Sequence, residues 1–326
     1  MKKLPFRIDG FLLSMLTAVV LALIYPTLGT GDGPLHLGVI TNLGVSVVFF
    51  LHGAALSRQS LKAGVSNWRL HVFVQATTYV VFPLIGVLLV LLIKPVLPPD
   101  LVLGVFYLCV LPSTISSSVA MTSVGKGNVP GAIFNASLSN LVGMVATPLL
   151  IGLMVATSGA HLSVGKAVAD IAIQLLLPFA IGQVLRPWLA GWLSRNKPII
   201  NKIDRGVVVL IVYSSFCDST VAGLWHNYAW WMLAVVFVLV GIVLAAVLFS
   251  TTRISRAVGF SLPDEVTAVF CGSKKSLATG IPMAKLLFAG HPGLGLIVLP
   301  IMFYHQLQLI VCSVLARRYA ERAEQV

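Results

Sequence analysis

Residues 101–124 read LVLGVFYLCVLPSTISSSVAMTSV. An apolar run stops at Pro112, gives way to Ser113, Thr114, Ser116, Ser117 and Ser118, and ends on Met121-Thr122-Ser123. Proline removes a backbone donor and clashes with the preceding turn, while hydroxyls compete for backbone groups. The stretch therefore reads as a transmembrane helix unwound near its middle. Non-helical backbone at membrane depth survives only where it lines protein or a watery cavity. Its freed carbonyls and helix ends are then available to ions and substrate.

A second stretch breaks in the same way. Residues 266–288, VTAVFCGSKKSLATGIPMAKLLF, are interrupted by Cys271-Gly272-Ser273-Lys274-Lys275-Ser276 and again by Thr279-Gly280 and Pro282. Small and hydroxyl residues also serve tight helix packing. That explanation suits one such segment better than a matched pair.

Composition places both stretches in lipid. The 326 residues are 58% hydrophobic and 10% charged, with a mean hydropathy of +0.97; soluble domains carry about 25% charge. With about twenty residues per crossing, ten spans emerge: Phe11–Tyr25, Leu37–Leu56, His71–Ile93, Leu101–Val124, Val129–Val155, Ala167–Leu185, Gly206–Ala222, Tyr228–Ser250, Val266–Phe288 and Gly293–Leu315. Run length, and the lack of short alternating segments, favours helices over a barrel. Lys2-Lys3 ahead of the first span resembles a signal peptide, but no small-residue cleavage site follows, so an uncleaved helix is expected.

The basic residues fix an orientation. With the amino terminus inside, the inner segments hold Lys2, Lys3, Arg7, Arg58, Lys62, Arg69, Lys126, Arg186, Arg195, Lys197, Lys202, Arg205, Arg253, Arg256, Arg317, Arg318 and Arg322. The outer ones hold only Lys94 and Lys166. This asymmetry puts both termini in the cytoplasm, and it also accounts for the net charge of +12. No basic face interleaved with aromatic residues lies outside the apolar runs, so nucleic acid is not an expected partner. Five spans on each side of residues 158–166 give an inverted five-plus-five plan, residues 1–160 and 161–326, a recurring transporter architecture.

Lys274 and Lys275 are the sharpest candidates, because an ammonium in hydrocarbon is costly and marks function by default. Lys285 lies nearer a span end, where it can snorkel. Further polar residues gather on neighbouring spans: Gln75, Thr77 and Thr78; Asn135, Ser139 and Asn140; His305, Gln306 and Gln308. Each taken alone reads equally as a helix–helix hydrogen bond. Asp170 and Asp218 fall near outer span ends. Cys109, Cys217, Cys271 and Cys312 form no Cys-x-x-Cys pair, so neither a zinc site nor a disulfide framework is indicated. No HExxH, GxSxG or Walker lysine is present, and a Ser117–Lys274 hydrolytic dyad is the one enzymatic pattern left open.

On these residues the chain resembles the bile acid/sodium symporter family, within it the bacterial sodium-dependent transporters related to the seventh vertebrate member. The likeness is carried by PSTISSSVAMTSVGKGN at Pro112–Asn128 and by GSKKSLA at Gly272–Ala278. It implies that spans four and nine cross within a core of spans three, four, five, eight, nine and ten, which moves against a panel of spans one, two, six and seven. It also implies two sodium sites at the crossing. The family's Ser-Asn pair falls on Ser117 and Ser118. Its span-five hydroxyls fall near Ala132 and Ala136, leaving neighbours Asn135 and Ser139, and its span-three glutamine falls near Thr78, one turn from Gln75. The Glu-x-x-x-Gln-Asn pattern of span nine is replaced by Phe270, Lys274 and Lys275, which weighs against two bound sodium ions.

The expectation is an all-α secondary transporter of a small organic anion in the bacterial inner membrane, working by alternating access. Its expected binding residues are Gln75, Thr78, Ser117, Ser118, Asn135, Ser139, Ser273, Lys274, Lys275 and Ser276; Ser117, Ser118 and Asn135 are the candidates for any sodium ion. Coupling is to sodium or, given the lysines, to protons. In the second case a lysine held by Ser117, Ser118 and the open carbonyls of span four supplies the charge that sodium supplies elsewhere. An ion channel and a non-transporting regulatory membrane protein are the rival readings.

Overall fold

Among the described residues every regular element is a helix. The structure, a computed structural model, describes residues 10–56, 67–157, 164–224 and 229–325. In chain order the helices are α1 (Gly10–Ile24), α2 (Leu37–Ala55), α3 (Trp68–Ile93), α4 (Pro99–Val110), α5 (Ser116–Val124), α6 (Val129–Thr157), α7 (Val164–Arg195), α8 (Lys197–Val221), α9 (Trp230–Ala257), α10 (Leu262–Ser273), α11 (Leu277–Leu287) and α12 (Leu294–Ala323). A single turn, Pro26–Gly29, follows α1.

Six of these are long and apolar enough to cross a membrane: α2, α3 and α9, residues Val129–Met154 of α6, Ile173–Arg195 of α7, and α12. The other four expected spans fall short for identifiable reasons. The expected fourth and ninth spans are each split into two short helices, α4–α5 and α10–α11. The first helix has 15 residues among those described, and α8 opens on Lys197, Lys202, Asp204 and Arg205 before its apolar part begins. The expected sixth and seventh spans run on through their basic ends, leaving only Asn196 between α7 and α8. Tyr228, the expected start of the eighth span, lies outside the described residues, as does most of the connector between the two halves.

The surface is turned inside out relative to a water-soluble domain. Leu43, Leu91, Val184 and Trp188 are each more than 60% exposed. Ser113, Ser118, Asn135, Ser139, Ser273, Lys274, Lys275 and Gln308 are wholly buried. Lipid supplies no hydrogen bonds, so polar groups are kept inside where protein can meet them.

Helices α1, α2, α7 and α8 pack on one another. The α2–α7 contact is close enough that a Cβ on Gly53 would strike the carbonyl of Phe179, and one on Gly182 the carbonyl of Phe50. Glycine is needed there because the two backbones touch. Helices α3 to α6 and α9 to α12 pack into a second group, joined to the first mainly through α8 against α11 and α12, and α7 against α6. Polar ties near one end hold this second group. Glu265 takes Arg256 at 2.8 Å, Tyr319 at 2.9 Å and Arg322 at 3.3 Å. Asp264 takes Asn67 at 2.7 Å and Asn128 at 2.9 Å. The two broken helices also open on one residue pattern, Pro-Asp-x-Val-x-x-Val-Phe, at Pro99–Phe106 and Pro263–Phe270.

Candidate functional site

The site begins with the way α4 ends. A residue before proline is pushed out of the helical region, and Leu111 is extended (φ −72°, ψ 153°) ahead of Pro112. The helix stops, and its last carbonyls lose their donors. Each is met from elsewhere. Cys109 and Leu111 accept from the Lys275 ammonium at 2.9 and 2.7 Å, and Val110 from Thr147 Oγ1 at 2.7 Å. Pro112 accepts from the Ser276 amide at 2.9 Å, and Ser113 from Asn140 Nδ2 at 2.8 Å.

Helix α3 supplies a further acceptor by a different route. Residues Thr77–Val81 form a π-turn in which the Phe82 amide bonds to the Thr77 carbonyl. The next residue, Pro83, has no N–H, so the Thr78 carbonyl lacks a helical donor. Lys275 takes it at 3.2 Å, and its ammonium also sits over the Phe82 ring, 4.0 Å from the centroid. Three carbonyls and an aromatic face thus enclose one ammonium at the C-terminal, negative end of α4, where a cation is favoured.

The second break is held by side chains. Lys274 is extended (φ −93°, ψ 146°). Gln308 clamps Lys275 from both sides, accepting from its amide and donating to its carbonyl at 2.9 Å each. Tyr304 donates to the Ser273 carbonyl at 2.6 Å. Ser276 then caps α11 through the Thr279 amide. Across the crossing, Ser113 Oγ donates to the Cys271 carbonyl at 2.7 Å, and Ser118 Oγ to that of Phe270 at 3.4 Å.

Lys274 is also wholly buried, yet it is served differently. Its one hydrogen bond among the described residues is to the Ser117 carbonyl at 2.8 Å, and Phe270 lies 5.9 Å off as a distant ring contact. An ammonium has three donors. Among the described residues no carboxylate contacts either lysine; Glu265 and Asp264 are engaged in the ties above.

The structure therefore brings together Lys275 with Thr78, Lys274 with Ser117, and Ser276 with the first break. Thr78 contributes its carbonyl, and its hydroxyl bonds back to Val74. Ser118 hydrogen-bonds to Phe270 and to neither lysine. Ser139 Oγ accepts from the Ser113 amide at 2.9 Å, and its carbonyl accepts from the Tyr79 hydroxyl. Gln75 and Asn135 turn to each other, with Gln75 Nε2 3.1 Å from the Asn135 carbonyl and 3.4 Å from its Oδ1. Asn135 donates to Gly131. Among the described residues the Ser117 and Ser273 hydroxyls have no hydrogen-bond partner.

Sodium does not fit this donor set. Four carbonyls that might ligate it already accept from ammonium groups, and a unit positive charge 4 Å away opposes it by about 4 kcal/mol at an effective dielectric near 20. Sequence reasoning missed the roles of Thr147, Tyr304 and Gln308. A tyrosine deep in a span, away from the interfacial belt, was the available signal for Tyr304.

A cavity of about 170 Å³ lies against the start of α5, lined by His52, Ala55, Leu56, Ile115, Ile133, Ser137, Asn140, Met144 and Phe179. It sits between the two helix groups, and His52 on its wall lies 3.4 Å from Asp204. A larger apolar groove of about 590 Å³ between α3 and α6 has Lys94 at its rim, and neither buried lysine lines it.

Residues 9–321 match the SBF-like CPA transporter family. The chain is 46% identical over 324 residues to an uncharacterized Pseudomonas aeruginosa protein, PA2026, covering 99% of this chain and 96% of that one. It is 45% identical over 323 residues to YfeH of Escherichia coli, provisionally named a symporter, covering 98% and 96%. It is 34% identical over 314 residues to sodium/bile acid cotransporter 7 of Danio rerio, covering 95% and 93%. A polytopic helical chain, two helix breaks that meet, and near full-length likeness to these proteins lead to one conclusion: the chain belongs to the SBF-like CPA transporter family, a bile acid/sodium symporter-like group of membrane transporters.

Proposed function

We propose that this chain is a secondary transporter of a small organic anion, and that Lys275 supplies the positive charge which bound sodium would supply at the crossing. The observation that carries the reading is the Lys275 ammonium held by the carbonyls of Thr78, Cys109 and Leu111. Such a cage of backbone oxygens at a helix break is the kind that holds a cation in transporters. Here the cation is covalently part of the chain. Transport proceeds by alternating access, with α3 to α6 and α9 to α12 as the core and α1, α2, α7 and α8 as the panel. The ties at Asp264 and Glu265 support motion of that core as one body. The shared Pro-Asp-x-Val-x-x-Val-Phe opening supports an inverted ten-span plan, and the distribution of basic residues supports cytoplasmic termini in a bacterial inner membrane. Reporter fusions near Arg195 and Arg256 should then read as cytoplasmic, and those near Gly31 and Gly159 as periplasmic.

The test is uptake of organic anions into proteoliposomes with sodium or choline as the cation. Uptake should proceed in choline as it does in sodium, and Lys275→Ala should abolish it. A strict sodium requirement together with full tolerance of Lys274→Ala and Lys275→Ala would overturn the reading.

A further inference from the structure

The groove of about 590 Å³ between α3 and α6 plays no part in the crossing. Pro83 and Phe106 form its buried floor. Leu84, Val87, Leu91 and Leu153 stand along its walls and are 49–69% exposed. It therefore opens toward lipid. A void there would leave its walls without partner atoms, and the material available at that depth is hydrocarbon.

Two polar residues line the groove, Lys94 and Tyr79. Helix α3 has 26 residues, about 39 Å of helix against about 30 Å of hydrocarbon. Lys94, which follows its last residue, thus stands at the headgroup level of one leaflet. Its side chain is exposed and in no ion pair among the described residues. Tyr79 lies about 22 Å back along the helix, deeper in the membrane. Its hydroxyl donates to the Ser139 carbonyl. A Cβ on Gly143 would lie 2.7 Å from that hydroxyl and 2.9 Å from Pro112 Cβ, so Tyr79 stands against the first break.

These dimensions choose the occupant. A volume of 590 Å³ over about 22 Å gives a mean cross-section of about 27 Å². A helix from a second copy, at least 10 Å across, needs about 80 Å². A single extended hydrocarbon chain fits, and the unpaired ammonium at its outer end complements a negative headgroup. A second lipid-facing groove, about 520 Å³ between α1 and α8, has no charged residue in its lining. It offers the same apolar surface without a headgroup partner.

We propose that the α3–α6 groove is a site for one anionic phospholipid, with an acyl chain along Leu84, Val87, Leu91 and Leu153 and its phosphate on Lys94. The chain runs down toward Tyr79 and braces the first break from the lipid side. A lysine near a membrane surface gives about a fivefold preference for a negative headgroup.

The test uses full-length protein in phosphatidylcholine nanodiscs with a small fraction of phosphatidylglycerol carrying a photoreactive group on one acyl chain. Cross-linked peptides are located by mass spectrometry. Labelling should concentrate on α3 and α6, and unlabelled phosphatidylglycerol should displace it about fivefold more effectively than added phosphatidylcholine. Lys94→Gln should remove that preference and Lys94→Arg should keep it. Leu153→Trp, which fills the groove, should cut labelling there about tenfold, and Leu13→Trp in the other groove should leave it unchanged. Both Lys94 and Leu153 are exposed, so these variants keep the fold. Equal labelling of the two grooves, or an unchanged preference in Lys94→Gln, would overturn the proposal. So would cross-links from α3 or α6 to a second copy of the chain, which would assign the groove to a protein interface.

Discussion

The two broken helices start alike and finish as opposites. Both open on Pro-Asp-x-Val-x-x-Val-Phe, yet the first break offers a run of backbone carbonyls and the second answers with an ammonium and an amide, two serine hydroxyls bonding the other way. From Cys109 to Ser113, five successive carbonyls are released by the end of α4. Three of them are met from the second break, two by the Lys275 ammonium and one by the Ser276 amide. In lipid an unmet carbonyl has no solvent to turn to. A helix that unwinds at mid-membrane must therefore find its complement in the protein, and here the complement is the other unwound helix. The causes of unwinding differ too. Pro112 ends the first helix locally, whereas at the second break Gln308 and Tyr304 hold the extended backbone from a separate helix.

The largest effect should come from removing the link itself. Lys275→Met leaves three buried carbonyls without a donor and should destabilise the protein by about 3 kcal/mol or more. Unfolding in detergent, followed by temperature or denaturant, measures this; an unchanged midpoint would mean the breaks do not depend on each other. A second test separates the causes of unwinding. Gln308→Ala strips partners from two buried backbone groups and should cost about 2 kcal/mol. Pro112→Ala should cost under about 1 kcal/mol, because the carbonyls it frees are met by other residues in any case. Equal effects would erase the distinction between a local and a tertiary break.

Lys274→Ala gives up one carbonyl contact and should cost only about 1 kcal/mol. A stability loss as large as that of Lys275→Met would show that the two lysines are equivalent. The smallest effect is one of access. Ser116 is exposed and Ser273 is wholly buried. Ser116→Cys should react with a small water-soluble thiol reagent and Ser273→Cys should be protected. The four native cysteines are all buried, so the background should be low.

Much of this was legible in the residue order. Pro112 and the hydroxyls after it mark the first break, and Lys274-Lys275 mark the second, because local chemistry is enough to disfavour a helix or a bare charge in lipid. The grouping of polar residues on neighbouring spans pointed to the crossing. Their roles were less legible. Thr78 was expected at the site, and its carbonyl meets Lys275, since Pro83 lacks the N–H that this carbonyl would otherwise have met. Asn135 and Gln75 were expected at the ion site; Gln75 Nε2 bonds to Asn135, and Gln75 Oε1 has no partner among the described residues. Gln308 was visible only as one polar residue on a long apolar helix, and nothing near it in sequence says that it clamps Lys275.

By itself the sequence determined that the chain lives in lipid, that two of its helices break, and that the second break carries two positive charges. Those outcomes depend on composition and on residues a few positions apart. Only the tertiary structure decided that Lys275 would meet three carbonyls at a helix's negative end while Lys274 met one, that of Ser117. The partners lie between 157 and 197 residues from the lysines in the chain. Which donor reaches which acceptor is set by how two helix ends approach in space, and neighbouring residues of the same type cannot encode that difference locally.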